Sequence, residues 1–105
     1  MREKALNEPV LLILLSLAVK PDHGYALIRE VLAIAPMQRQ ISSGTMYGAL
    51  GRLLDMKWIE RCNRSDQPKH KRTYRLTQLG GKSLNRELDR MSKIIQIAAA
   101  RLGRK

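Results

Sequence analysis

The chain has 105 residues, 44% of them hydrophobic, with 20 lysines and arginines against nine acids and a formal net charge of +11. That length allows one domain with a modest core, and the hydrophobic fraction excludes a disordered tail. The charge exceeds what solubility requires and points to a polyanion, either nucleic acid or an anionic membrane surface.

Four aromatic residues, Tyr25, Tyr47, Trp58 and Tyr74, and no phenylalanine leave the core to Leu, Ile, Val and Met. Cys62 is alone. It excludes an intrachain disulfide framework and a cysteine metal cluster, and it fits a reducing compartment. The apolar run Val10-Leu11-Leu12-Ile13-Leu14-Leu15 is shorter than the roughly 20 residues that span a bilayer. Arg2 and Lys4 precede it, but Glu3 and Glu8 interrupt that basic flank, and Lys20-Pro21-Asp22 makes a poor signal cleavage site. The expectation is a cytoplasmic, unprocessed protein.

In chain order, Asn7 is an N-cap, Glu8 suits the positive helix end and Pro9 is tolerated in the first turn. A helix is predicted from there to about Val19. It is apolar nearly all round, so it needs cover on more than one side, from the C-terminal helix or from a second subunit. Pro21-Asp22-His23-Gly24 has the composition of a turn. A second helix follows over residues 25–34, with Tyr25, Ile28, Val31 and Leu32 on its core face, and Ala35-Pro36 ends it. Residues 37–41 form a short strand or a loop.

The third helix is Ser42-Ser43-Gly44-Thr45-Met46-Tyr47-Gly48-Ala49-Leu50-Gly51-Arg52-Leu53-Leu54. Ser42 or Ser43 caps it. Met46, Leu50, Leu53 and Leu54 recur at helical spacing on one side. The remaining faces carry Thr45, Tyr47, Gly48, Gly51 and Arg52. A helix so small and polar on its outer side suits a groove, although an ordinary surface helix of poor propensity has the same pattern. Three helices, the last entered through a short connection, make a helix-turn-helix unit that presents its last helix to DNA.

Trp58 to Cys62 then reads as a strand, with Trp58 wedged in the core. A polar loop follows over residues 63–71, and Arg72-Thr73-Tyr74-Arg75-Leu76-Thr77 returns as a second strand. Arg64, Lys69, Lys71, Arg72 and Arg75 make this hairpin basic, against one acid, Asp66. Such a wing can displace counterions from phosphates; the competing reading is a solvated loop whose charges protect a sheet edge.

Thr77 caps the last helix, whose first turn Gly80-Gly81 weakens. From Lys82 on, Leu84, Leu88, Met91, Ile95, Ala98 and Leu102 form a heptad-like seam. The expected fold is mainly α with a small β-hairpin: a winged helix-turn-helix domain over residues 1–78 and a C-terminal dimerisation helix over 79–105, in one continuous unit. The expected dimer contact pairs that seam with Leu11, Leu14 and Leu15 of the first helix. The alternative is that the stripe folds back on its own first helix.

Catalysis has little support, because His23 and His70 lack a companion nucleophile or carboxylate. No cofactor or metal is expected. Cys62 is read as a small strand filler.

Three stretches resemble the PadR-like transcriptional regulators, particularly their short form with a single C-terminal helix. His23-Gly24-Tyr25-Ala26-Leu27-Ile28 is similar to the family's entry into its second helix. Gly44-Thr45-Met46-Tyr47-Gly48-Ala49-Leu50-Gly51-Arg52-Leu53 is similar to its recognition-helix signature, glycine-threonine-leucine-tyrosine-proline-alanine-leucine-x-arginine-leucine. Lys71-Arg72-Thr73-Tyr74-Arg75-Leu76-Thr77 is similar to its wing-return signature.

The resemblance runs from about Asn7 to the end. It implies a dimer that represses transcription at a palindromic operator and is released by a small aromatic or amphipathic effector. Transferred onto this sequence, the DNA-binding set is Ser43, Thr45, Tyr47 and Arg52 on the helix with Lys69, His70, Lys71, Arg72 and Arg75 on the wing. Gly48 stands where the family commonly has proline and Gly51 where a longer polar residue is usual. Gln67-Pro68 replaces paired glycines in the wing, and Thr73 the first of two tyrosines. The last helix has no aromatic residue to stack on a flat ligand. A non-specific RNA- or DNA-binding protein, or a regulator acting through protein contacts, would share the charge and the seam.

Overall fold

The computed structural model describes residues 7–34, 42–62 and 72–104. Within them, helix α1 (Glu8–Val19) is followed by strand β1 (Asp22–His23), α2 (Gly24–Ile34), α3 (Ser43–Asp55), β2 (Ile59–Arg61), β3 (Thr73–Leu76) and α4 (Gln78–Leu102). The fold is mainly helical with one small antiparallel sheet in the order β1-β3-β2.

Three helix starts are capped as side-chain chemistry dictates. The Asn7 side chain accepts from the Val10 N–H at 3.0 Å, the Ser42 hydroxyl from Thr45 at 3.1 Å, and the Thr77 hydroxyl from Gly80 at 3.0 Å. At its far end α4 stops at Gly103, whose φ of +68° is the left-handed conformation that glycine adopts without a Cβ penalty.

The core is aliphatic. Ile13, Leu14, Leu27, Val31, Met46, Leu50, Leu53 and Ile59 are fully enclosed, with Trp58 and Tyr74 as its buried aromatic members. Helix α1 lies at the centre and packs on α2, α3, β3 and α4. Its all-round apolarity is therefore met largely within the chain.

Two expectations are corrected here. Residues 21–24 do not form only a turn: Asp22 pairs with Tyr74 and His23 with Thr73, and Gly24 already begins α2. Two residues carry no periodicity of their own, so only the partner strand creates β1. The last helix starts at Gln78 behind its expected Thr77 cap, with Gly80 and Gly81 in its first turns. Leu14 (0% exposed) and Leu84 (4%), assigned to a partner, are sealed in the chain's own core. The possible strand at residues 37–41 lies outside the described residues.

Candidate nucleic-acid interface

Helix α3 is two-sided. Met46, Ala49, Leu50 and Leu53 are buried, while Ser43, Gly44, Thr45, Gly48 and Arg52 are exposed. A β-carbon placed on Gly48 or Gly51 would meet nothing within 4 Å. Packing among the described residues therefore does not require these glycines, and there they leave the outer ridge of α3 bare backbone. Arg52 stands exposed on the same side and makes no ion pair among the described residues.

At the N-terminus of α3 the Ser42 hydroxyl accepts from the Thr45 N–H and donates to the Thr45 hydroxyl, both at 3.1 Å. The Thr45 oxygen is thus an acceptor within the cap, and its own proton remains to be given outward. Orphan N–H groups and the positive end of the helix dipole make this end favourable for a phosphate. Tyr47 differs from its neighbours. It is half-buried and packs against the core, so it flanks the exposed ridge rather than standing on it.

Beside α3, strands β2 and β3 form the base of the hairpin, with Ile59 opposite Leu76, Glu60 opposite Arg75 and Arg61 opposite Tyr74. The Cys62 N–H donates to the Thr73 carbonyl at 2.9 Å and extends the ladder one residue further. Arg75 is held by Glu60 across the strands at 2.6 Å, with both side chains about half exposed. That pair partly neutralises a residue assigned to DNA. The register sets Glu60 opposite Arg75.

Arg72 is half-buried beside Tyr74, and its carbonyl accepts from the Gly24 N–H at 3.0 Å. Burial pushes the Tyr74 phenol above its ordinary pKa, against the opposing pull of the Arg72 and Arg61 guanidiniums. Tyr74 is therefore a neutral packing residue at the wing base. Lys69, His70 and Lys71 lie outside the described residues. Arg61 is exposed at the wing base and was absent from the expected set; its place near Tyr74 depends on the register, which the sequence does not print.

The seam divides within α4. Leu84 is in the core, Leu88 packs against it and Met91 is half-buried. Beyond them Ile94, Ile95, Ile97 and Leu102 are exposed, and Ala98 is half-buried. On α1, Leu11 is half-buried against the core, and Leu15 is exposed. No helix among the described residues is long and apolar enough to cross a membrane. No group of three or more His, Cys, Asp or Glu residues among them is placed to hold a metal.

Solved structures share this architecture. A PadR family transcription regulator from Clostridium difficile is 24% identical, with a TM-score of 0.74 over 91% of this chain and 99% of that one. A transcriptional regulator from Clostridium thermocellum is 18% identical, with a TM-score of 0.71 over 88% and 87%. A PadR-like transcriptional regulator from Bacillus cereus is 22% identical, with a TM-score of 0.70 over 89% of each. At these identities the likeness shows the fold. A comparison with curated protein sequences gives no match. Residues 12–86, which hold all of the described interface and the inner part of α4, match the transcriptional regulator PadR-like family, and the chain belongs to that family of DNA-binding regulators.

Proposed function

We propose that this regulator is a cytoplasmic homodimer that represses transcription at a palindromic operator and is released from it by a small aromatic or amphipathic effector. The observation that carries the reading is the outer ridge of α3, with Thr45 and Arg52 exposed beside glycines that no packing among the described residues requires. A groove-entering helix needs a face of that kind, and its backbone must come close to the duplex.

In this reading Ser43 and Thr45 meet the duplex at the N-terminal end of α3. Thr45 can donate to a phosphate oxygen or place its methyl against a thymine. Arg52 anchors a phosphate, and Tyr47 supports the edge of the ridge and can donate its hydroxyl to the backbone. Lys69, His70 and Lys71 make the wing contact, with Arg72 and Arg75 at its base. Dimerisation is supported by the exposed Ile94, Ile95, Ile97 and Leu102 on α4 and by Leu15 on α1, apolar surface that a partner would cover. The effector rests on the family resemblance.

The test is selection of a binding site from random duplexes, followed by gel-shift competition. A palindrome preferred over unrelated duplex by roughly 10³ or more supports operator recognition. Equal competition by any duplex supports non-specific binding instead. Deleting residues 69–72 should abolish operator binding; full activity without them favours a regulator that works through protein contacts.

A further inference from the structure

The segment between α3 and β2 is joined to the root of α4 through the backbone around Trp58. The Trp58 N–H donates to the Leu53 carbonyl in the last turn of α3 at 3.0 Å. The Trp58 carbonyl accepts from the Thr77 N–H at 3.0 Å. The Thr77 hydroxyl has one proton to give to the carbonyls of Lys57 at 2.7 Å and Trp58 at 3.0 Å, which share it, and it also accepts from Gly80 in the first turn of α4. Gly80 completes the joint. A β-carbon there would overlap the Trp58 carbonyl oxygen and stand 2.8 Å from its carbon, so only glycine lets the first turn of α4 lie this close. The indole of Trp58 is buried. Helices α3 and α4 scarcely touch one another directly.

We propose that Trp58, Thr77 and Gly80 are positioning residues for operator binding. They fix the angle between α3 and α4, and so set the separation at which a dimer presents its two α3 helices. The inference rests on the dimer reading above. Leverage supports it. Ile95 lies about 25 Å along α4 from Gln78. A tilt of roughly 10° at the root displaces that point by about 4 Å, more than the ~3.4 Å rise of one base pair. Paired half-sites about one helical turn apart tolerate little such error. A cap alone would need only the Thr77 hydroxyl on Gly80; the hydroxyl proton shared by the Lys57 and Trp58 carbonyls and the Thr77 N–H given to Trp58 are what a joint requires.

The test compares the parent protein with Thr77→Val, which keeps the side-chain shape and loses the hydroxyl, and with Thr77→Ser, which restores it. Gly80→Ala is the harsher variant; if it fails to fold, Thr77→Val still decides. Cys62 is exposed and is the sole cysteine, so a nitroxide there gives one distance per dimer by pulsed electron resonance. For the parent and Thr77→Ser, the distance distribution should be narrow. Inserting or deleting one base pair between half-sites should lower their affinity by about tenfold or more. For Thr77→Val the distribution should broaden at least about twofold, and the spacing penalty should fall to about threefold or less. Thr77→Val with a parent-like distribution and penalty overturns the joint and leaves the dimer reading intact. A parent protein without any inter-subunit dipolar signal overturns the dimer reading, and the joint falls with it.

Discussion

Leu84 and Ile95 lie on one stripe of one helix, yet Leu84 is 4% exposed and Ile95 is 57% exposed. The inner half of α4 begins under the α3–β2 turn, where Gly80 brings it against the Trp58 carbonyl and Leu84 and Leu88 close the core. The outer half carries residues of the same kind, with Ile94, Ile97 and Leu102 exposed. Spacing therefore announces an apolar face but not its cover. Half of this one belongs to the chain's own fold, and the other half to the proposed partner.

The sharpest way to break that contrast is to truncate each half in turn. Leu84→Ala should cost about 2–5 kcal/mol, as removal of an enclosed leucine does. In urea unfolding its penalty should be the same at every protein concentration. Ile95→Glu should instead raise the dimer dissociation constant by about 100-fold, because it places an unpaired carboxylate in the seam. Monomer stability should stay within about 0.5 kcal/mol, as for other exposed positions. Sedimentation equilibrium and the concentration dependence of unfolding separate the two effects. If Ile95→Glu destabilises the isolated monomer as Leu84→Ala does, the halves are alike and the division fails.

A smaller effect is expected on α3, whose outer face is exposed without being apolar. Gly48→Ala should stabilise the fold by about 0.5–1 kcal/mol, since alanine is the better helix former and its Cβ has open space. Operator affinity should fall in the same variant. A thermal melt beside a gel shift reads both, and a rise in both would mean that the bare ridge is not a contact surface.

The smallest effect lies where the halves of α4 meet. Glu87 is bonded to Arg90, and that hydrogen bond holds its carboxyl below the usual glutamate range, with the Arg90 charge adding to it and desolvation opposing. A lowered folded-state pKa contributes stability above the unfolded value and loses it as pH falls through the folded one. Melting temperature should therefore fall slightly less on acidification in Glu87→Gln than in the parent protein. Identical acid dependence would assign the pair no role.

Much of this was legible in the sequence. Asn7 and Thr77 cap the helices they were expected to cap, and of the two serines offered for α3 it is Ser42 that caps, because capping depends on the residue and the few that follow it. The two-sided pattern of α3 was also readable, because burial on a helix follows its spacing. What depends on distant pairing was not. Arg75 looks free until the register sets Glu60 opposite it, and Gly80 reads as a weak point until the Trp58 carbonyl is brought beside it. Leu14 and Leu84 were given to a partner because periodicity cannot tell one apolar cover from another. Tyr47 shared a motif with Thr45, but lies half turned to the core.

Strand β1 is only two residues long, yet it stitches the connection between α1 and α2 onto the same strand that returns from the wing, and Gly24 adds a further tie to Arg72. The base of the wing and the helix pair are thereby tied through one strand. In the operator-binding reading proposed above, parts tied in this way cannot be adjusted one at a time to a duplex whose grooves do not match them, and part of the fit falls to bending of the nucleic acid. The stiffness of base steps the protein never touches then enters the choice of site.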